Sequence, residues 1–295
     1  MGDCPEASKK SKMKKVSVII PVYNEEEDIQ SCLESLSKQT IQPVDIIVVD
    51  DGSSDSSKLK VQSAKSQFKA QNFQILEQFH QGPGNARNLG AKNSNGEILV
   101  FVDADMTFKE DFLEKLIEPI AEGKVKGTFT KEEYVSNWEN VWARCWNYNK
   151  DLTDKRKVPR SDPDEGPVFR AILKSEFDRV HGFDAIGYTD DWTLSRKLQY
   201  KSINAPKAIC YHKNPSSLKE VYRDARWIGK NEFISGTIIR RLWSLVRFNF
   251  IHQGLKGVVN AVRFREPYYI FFQPVYWWGL HRSIYGSFFG EEKYK

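Results

Sequence analysis

Leu99-Val100-Phe101-Val102-Asp103-Ala104-Asp105 is the stretch that decides the fold. Four apolar residues run straight into two carboxylates separated by one alanine. A short continuous apolar run reads as a strand buried on both faces, as in a parallel sheet. Ligands of open α/β sheets bind just past the carboxyl ends of such strands. The strand therefore delivers two acids to the edge where such a fold keeps its chemistry. If it persisted to Asp105, side-chain alternation would put both acids on one face. A break at Asp103, with the pair in a small acidic turn, is the reading adopted. Carboxylate oxygens suit hard divalent cations such as Mg²⁺ and Mn²⁺, which commonly bind together with substrate phosphates. The competing reading is a pair of acids capping a helix that starts near Lys109.

Working outward, the same pattern repeats. Val16 to Tyr23 is an apolar run ending near a proline and reads as a first strand. Asn24 is a candidate N-cap, followed by acids and then Ile29, Cys32, Leu33 and Leu36 at helical spacing. Val44 to Asp51 is a second strand ending in acids, and Gly52 to Ser56 a turn opening a helix. Phe73 to Glu77 is a weaker strand, Gly82 to Asn85 a loop, Ala86 to Asn93 the start of a helix, and Lys109 to about Ala121 another. Strands alternating with helices across short loops predict a mostly parallel sheet of βαβ units. Asp151 to Pro167 reads as a long polar loop, a kind of segment that is often functional in compact domains. Val168 to Leu173 reads as a strand, Lys174 to Val180 as a short helix, Asp190 onward as a helix with Leu194 and Leu198 on one face, and Ala205 to Tyr211 as a strand.

Composition sets the outer bounds. With 295 residues, 40% hydrophobic and 28% charged, the chain suits one large domain or two small ones, with a core that needs no disulfides. Cys4, Cys32, Cys145 and Cys210 are widely spaced, which predicts reduced thiols in a cytoplasmic protein and no zinc site. Residues 1–14 are expected to be a flexible basic tail rather than a secretory signal. The net charge of +5 is uneven: from Lys213 onward 14 Lys and Arg face six Asp and Glu, a balance of +8 that leaves −3 for the rest.

Four separated motifs occur in order: Val18-Ile19-Ile20-Pro21-Val22-Tyr23-Asn24-Glu25, Val48-Val49-Asp50-Asp51-Gly52-Ser53-Ser54-Asp55, Gly84-Asn85-Ala86-Arg87-Asn88-Leu89-Gly90 and Asp103-Ala104-Asp105. Thr189-Asp190-Asp191-Trp192 adds a later acidic pair. Over about residues 15–212 the set resembles family 2 glycosyltransferases of the GT-A fold. The resemblance implies a Rossmann-like, mostly parallel sheet flanked by helices, and an inverting transfer from a UDP- or GDP-linked sugar to a hydroxyl. It implies donor binding by Pro21, Tyr23, Glu25, Asp51, Arg87, Asp103 and Ala104. Asp51 would accept from a base N–H, and Arg87 would pair with the diphosphate or hold Asp51 or Asp105. It implies Mg²⁺ or Mn²⁺ on Asp105, with His212 as a candidate further ligand. Asp191 would be the general base, since an acceptor hydroxyl is a weak nucleophile until a carboxylate takes its proton. Where the family commonly has Glu-Asp, this chain has Asp190-Asp191, which leaves the second acid unchanged. Either acid would also suit a helix N-cap.

Residues 213–295 form a second, aromatic and basic region, with Trp227, Trp243, Trp277 and Trp278 interleaved with Arg223, Arg226, Arg240, Arg241 and Arg247. No stretch reaches the ~18 apolar residues expected of a spanning helix. Basic amphipathic helices carrying Trp and Phe lie in the membrane interface. The expected partners are a nucleotide-sugar donor, a glycan or lipid-linked acceptor such as a polyprenyl phosphate, and the cytoplasmic face of a membrane. Nucleic acid is not expected, and a homo-oligomer is possible. The same motifs would serve a catalytically silent GT-A protein that binds nucleotide or scaffolds a membrane complex. A nucleotidyltransferase is disfavoured, because the chain lacks an N-terminal Gly-rich loop followed by Arg and Lys.

Overall fold

The computed structural model describes residues 14–68 and 72–290. Cys4 and Lys9, Lys10 and Lys12 of the expected basic tail lie outside the described residues. The chain opens with β1 (Val16–Val22), α1 (Ile29–Ser37), β2 (Asp45–Asp50), α2 (Ser57–Ala64), β3 (Asn72–Glu77), α3 (Pro83–Lys92) and β4 (Ile98–Phe101). β3, β2, β1 and β4 lie side by side and parallel, the βαβ arrangement that the strand–helix alternation predicts. β2 is buried along its whole length, which is why its sequence is a continuous apolar run.

The sheet carries a core on each face. On one, Val18, Ile20, Val48 and Val100 pack with Leu33 and Leu36 of α1 and with Leu113 and Leu116 of α4 (Phe112–Ala121). On the other, Ile19, Leu99 and Phe101 meet Phe177, Phe183 and Leu194. α3 lies so close to this second face that a Cβ on Gly90 would stand 2.5 Å from Ile19 Cγ2.

Beyond β4 the chain departs from simple alternation. The apolar strand ends at Phe101, so Asp103-Ala104-Asp105 is a turn, and β5 (Met106–Phe108) follows at once. The acids therefore do not cap α4, which begins only at Phe112. β6 (Gly127–Phe129), β7 (Glu133–Val135), α5 (Val141–Tyr148), β8 (Glu165–Gly166), β9 (Ala171–Leu173) and α6 (Lys174–Arg179) come next. β9 inserts antiparallel between β4 and β6, so the sheet is mixed at this end. Asp190–Trp192 is a 3₁₀ turn leading into α7 (Thr193–Leu198).

Of the expected strand at Ala205–Tyr211, residues 205–209 are a loop after β10 (Ser202–Asn204), and Cys210 and Tyr211 open β11 (Cys210–His212). β11 pairs with β5 and β7 in a separate three-stranded sheet. Asn24 is also not an N-cap: it sits at φ 56°, and its side chain accepts from Ser54 N, while α1 starts at Ile29. The positive φ fits asparagine, which tolerates the left-handed region.

The remaining helices are α8 (Leu218–Gly229), α9 (Glu232–Ser235), α10 (Ile238–Arg247), α11 (Phe250–Arg263) and α12 (Tyr269–Gly286). α12 packs on α8 closely enough that a Cβ on Gly279 would meet the Tyr222 carbonyl at 2.6 Å. Trp277 and His281 of α12 both hydrogen-bond the Phe248 carbonyl, which ties the α10–α11 corner to the body. Cys32, Cys145 and Cys210 are buried free thiols.

Candidate active site

The β4 turn opens into a cleft of about 440 Å³. Pro21, Tyr23, Glu25, Asp51, Arg87, Asp103, Ala104, Asp105, Asp191 and His212 all line it. The parallel strands explain this convergence: β1, β2 and β4 end at one rim, and α3 starts there. A neighbouring hollow of about 780 Å³ is also lined by Glu25, Asp105, Lys213 and Trp227, so Asp105 stands where the two meet.

Asp103 is fully engaged. Its Oδ1 accepts from Arg87 Nη2 at 2.8 Å and its Oδ2 from Arg170 Nη1 at 2.9 Å. Burial raises the carboxyl pKa, but Arg170, Arg87 and His212 outweigh it and hold the group well below the usual carboxylate range. Arg87 turns its other Nη to Asp190 Oδ1 at 3.4 Å. It therefore braces Asp103 and Asp190, not Asp51 or Asp105. Gly84 makes room for this: a Cβ there would stand 2.8 Å from Asp190 Oδ2. Asn88 completes the motif by holding both the N–H and the carbonyl of Phe183 at 2.9 Å, which pins the turn ahead of the acidic pair.

Asp51 is also occupied. Gln81 N, Gly82 N, the Gln78 amide and His80 Nδ1 all lie within 2.9 Å of its oxygens. Asp51 thus holds the loop at 78–82 in place at the cleft wall. The loop it fixes places His80 stacked on Tyr23, ring centroids 4.0 Å apart.

Asp105, His212 and Glu133 form a chain. His212 Nε2 lies 3.1 Å from Asp105, and its Nδ1 lies 2.7 Å from Glu133 Oε1. Burial opposes a charge on His212, but Asp105 and Glu133 prevail and push its pKa up to about 9. The Glu133 contact orients the imidazole as a carboxylate behind a metal-bound histidine does. A separation of 3.1 Å between Asp105 and His212 Nε2 suits adjacent ligands of an octahedral ion at about 2.1 Å. No group of three or more His, Cys, Asp or Glu among the described residues is arranged to hold a metal. A cation here would thus take one carboxylate and one imidazole, with substrate oxygens and water filling the rest, as Mg²⁺ commonly does. The residues fit such an ion.

Asp191 lies in the 3₁₀ segment, and neither it nor Asp190 caps α7 through its side chain. Burial, helped by Asp190 and opposed by Arg87, pushes the Asp191 carboxyl up to about 6. That is a useful range for a base working near neutral pH.

Sequence reading missed Arg170, Glu133, His80, Lys150 and Lys157, all of which line the cleft. None lies in a recognisable motif. Arg170 arrives beside Asp103 only because β9 runs antiparallel to β4.

The fold and this rim of paired acids define an open α/β scaffold that gathers its carboxylates at the carboxyl ends of its parallel strands. Comparison with known proteins makes the assignment specific. The family model "Glycosyl transferase family 2" matches residues 17–180, more than half of the chain. The chain belongs to glycosyl transferase family 2. It is 31% identical over 171 residues to the undecaprenyl-phosphate 4-deoxy-4-formamido-L-arabinose transferase of Yersinia enterocolitica, covering 57% of this chain and 51% of that protein. Other relatives, such as glycosyltransferase AglE of Haloferax volcanii, are spanned for only 35% of their length. Among solved structures, S. aureus TarS 1-349 in complex with UDP-GlcNAc superposes with a TM-score of 0.55 at 18% identity, covering 95% of this chain and 93% of that one. At that identity the likeness shows the fold, a GT-A-type α/β sheet with a helical C-terminal region.

Proposed function

We propose that this chain transfers a sugar from a nucleotide-sugar donor to an acceptor hydroxyl, with inversion. The observation that carries the reading is that Asp105 and Asp191 share one cleft, the first beside an imidazole ligand and the second a carboxylate raised to about 6. The nucleotide would lie along Pro21, Tyr23 and Glu25, with the Tyr23–His80 stack as its aromatic wall. Mg²⁺ or Mn²⁺ on Asp105 and His212 would neutralise charge growing on the departing diphosphate. Mn²⁺ accompanies GDP-Man in the mannosyltransferase PcManGT of Pyrobaculum calidifontis, which aligns over 93% of this chain with a TM-score of 0.55 at 19% identity.

Asp191 takes the acceptor proton as that oxygen bonds to the anomeric carbon. The bond from that carbon to the diphosphate breaks, and its electron pair leaves with the diphosphate. A single displacement from the face opposite the leaving group inverts the centre. Asp103, held by two arginines, braces the rim that carries this geometry. The test is a panel of UDP- and GDP-sugars with Mn²⁺, read as release of free nucleoside diphosphate. Turnover with one donor, lost in Asp191→Asn, supports the reading. Nucleotide binding without turnover on any donor overturns it in favour of a silent binding protein.

The acceptor reading comes from α10 and α11, which are inside out. α11 buries Gln253, Gly257, Asn260 and Ala261 while exposing Ile251, Leu255, Val258, Val259 and Val262, the last by 76%. α10 buries only Ser244 and exposes Ile239 by 80% and Trp243 by 65%. Arg240, Arg241, Arg247, Lys256 and Arg263 accompany this face. Outward apolar side chains on two consecutive helices mark an interaction surface, and the basic residues on the same helices match an anionic bilayer surface. No described helix is long and apolar enough to cross a membrane. The reading is therefore interfacial attachment, presenting the cleft to a lipid-linked acceptor. The side would be the cytoplasmic one, where thiols such as Cys32, Cys145 and Cys210 stay reduced. Flotation with phosphatidylglycerol vesicles supports it. A dimer in solution that neither floats nor loses its association at high dilution overturns it in favour of a second copy on this face.

A further inference from the structure

Six cationic side chains outside the Asp51 loop line the 440 Å³ cleft: Arg87, Lys150, Lys157, Arg170, His212 and Lys213. Four have carboxylate partners. Arg87 has Asp103 and Asp190, Arg170 has Asp103 and Glu133, His212 has Asp105 and Glu133, and Lys213 has Glu27 and Asp28. Lys150 and Lys157 differ: among the described residues neither ammonium has a carboxylate at ion-pair distance. Lys157 Nζ reaches only the Lys213 carbonyl, at 3.5 Å.

The positions are built, not incidental. Lys150 follows the Asn149 C-cap of α5, with its N–H on the Asn147 carbonyl at 2.9 Å. Lys157 is fixed by its own N–H on the Glu133 carbonyl at 2.8 Å. The buried Asn147 amide donates to the Asp154 and Arg156 carbonyls, at 3.1 and 2.8 Å, and so ties the two segments together. Lys150 remains open to solvent. Crowding by the cleft walls and the charge of Lys157 still pull it down to about 8, against Glu133. Lys157 is lowered by its burial, against Glu133 and Asp105. Two ammonium groups lining one cleft without a carboxylate partner favour an anion between the cleft walls.

Lys150, Lys157 and Trp146 line the cleft but not the neighbouring hollow, whereas Asp105 lines both. The pair therefore lies on the side of the cleft toward Trp146 and α5. We propose that Lys150 and Lys157 form an anion subsite that takes a phosphate group of the acceptor, separate from the place of the donor diphosphate at Asp105. This rests on the transferase reading. Ammonium groups bind phosphate as point charges, so a phospholipid-type acceptor and a phosphate-bearing glycan would share the chemistry.

The test uses the full chain saturated with UDP or GDP and Mg²⁺. Reductive methylation of each lysine is followed by mass spectrometry, with and without inorganic phosphate, against exposed Lys92 as control. Phosphate should slow modification of Lys150 and Lys157 at least fivefold and leave Lys92 unchanged. In Lys150→Gln and Lys157→Gln, phosphate affinity should fall about tenfold while nucleotide affinity stays within twofold. Full protection by the nucleoside diphosphate alone would assign the pair to the donor and overturn the proposal. Lack of protection by phosphate would overturn it too. If no nucleoside diphosphate binds, the transferase reading fails by itself, while protection by phosphate alone still reports on the lysine pair. An acceptor series would separate the sources: a water-soluble alkyl phosphate protecting as well as a long-chain one places recognition in the phosphate, not the lipid.

Discussion

The sheet domain and the C-terminal helices obey opposite rules. In β1, β2 and β4, Ile19, Ile47 and Leu99 are fully buried, and the acids at the cleft rim, such as Asp103, are matched with arginines. In α10 and α11, Gln253 and Asn260 are buried, and Ile239 and Val262 face outward. The first region is complete in water. The second has exposed the surface that the hydrophobic effect would normally hide, which is the arrangement expected where the surrounding medium is itself apolar. On the interfacial reading proposed above, the two regions answer to different solvents, and each prediction below tests one side of that difference.

The largest effect belongs to the rim. Asp191→Asn should lower turnover by about 10²–10⁴-fold, the range for a lost general base, while UDP or GDP affinity, read by calorimetry, changes less than twofold. The same variant should melt higher at pH 7.5. Burial raises the Asp191 pKa from 3.8 to about 6, so the folded state holds that proton more tightly than the unfolded chain does. The carboxylate therefore costs stability progressively as pH rises from about 4 to 6, and the cost persists above that. The melting gain should vanish near pH 4.

Core truncation should separate the regions next. Leu99→Ala leaves a cavity between sheet and helices and should cost about 2–5 kcal/mol in denaturant unfolding. Leu255→Ala, on the outward face of α11, should change stability by less than about 0.5 kcal/mol. Ile239→Asp with Trp243→Asp should then leave folding and soluble-acceptor turnover intact, yet reduce vesicle binding at least tenfold in a flotation assay. Equal loss of stability in both alanine variants would erase the contrast. The smallest effect is on pH. Turnover under saturating donor should fall about tenfold per unit below the Asp191 pKa of about 6 and level off above it.

Much of the sheet is legible in the sequence because parallel strands buried on both faces leave uninterrupted runs, as at Ile46 to Val49 and Ile98 to Val102. The acids and glycines that follow those runs are legible for the same reason. What the sequence does not disclose is pairing between distant, short strands. Arg170 meets Asp103 through β9, and Glu133 meets His212 through β7, across segments of three residues each. Three residues carry no usable periodicity. Asp51 shows the converse: its motif is plain, but the donors that fill its oxygens come from Gln78 to Gly82, a stretch with no signature of its own. The amphipathic character of residues 213–295 is visible in composition, but which face points outward required the packing of α11 on α12.

The small sheet of β5, β11 and β7 has one further consequence. Its pairing sets His212 opposite both Met106 and Val135, so the gap between Asp105 and the imidazole works as a gauge whose jaws belong to segments a hundred residues apart. Slipping β11 by one residue against β5 and β7 would turn the imidazole to the reverse face and open the gauge. The loop at 205–209 buries Ala205 and Ala208 completely, so its tolerance to substitution should be narrower than its lack of regular structure suggests.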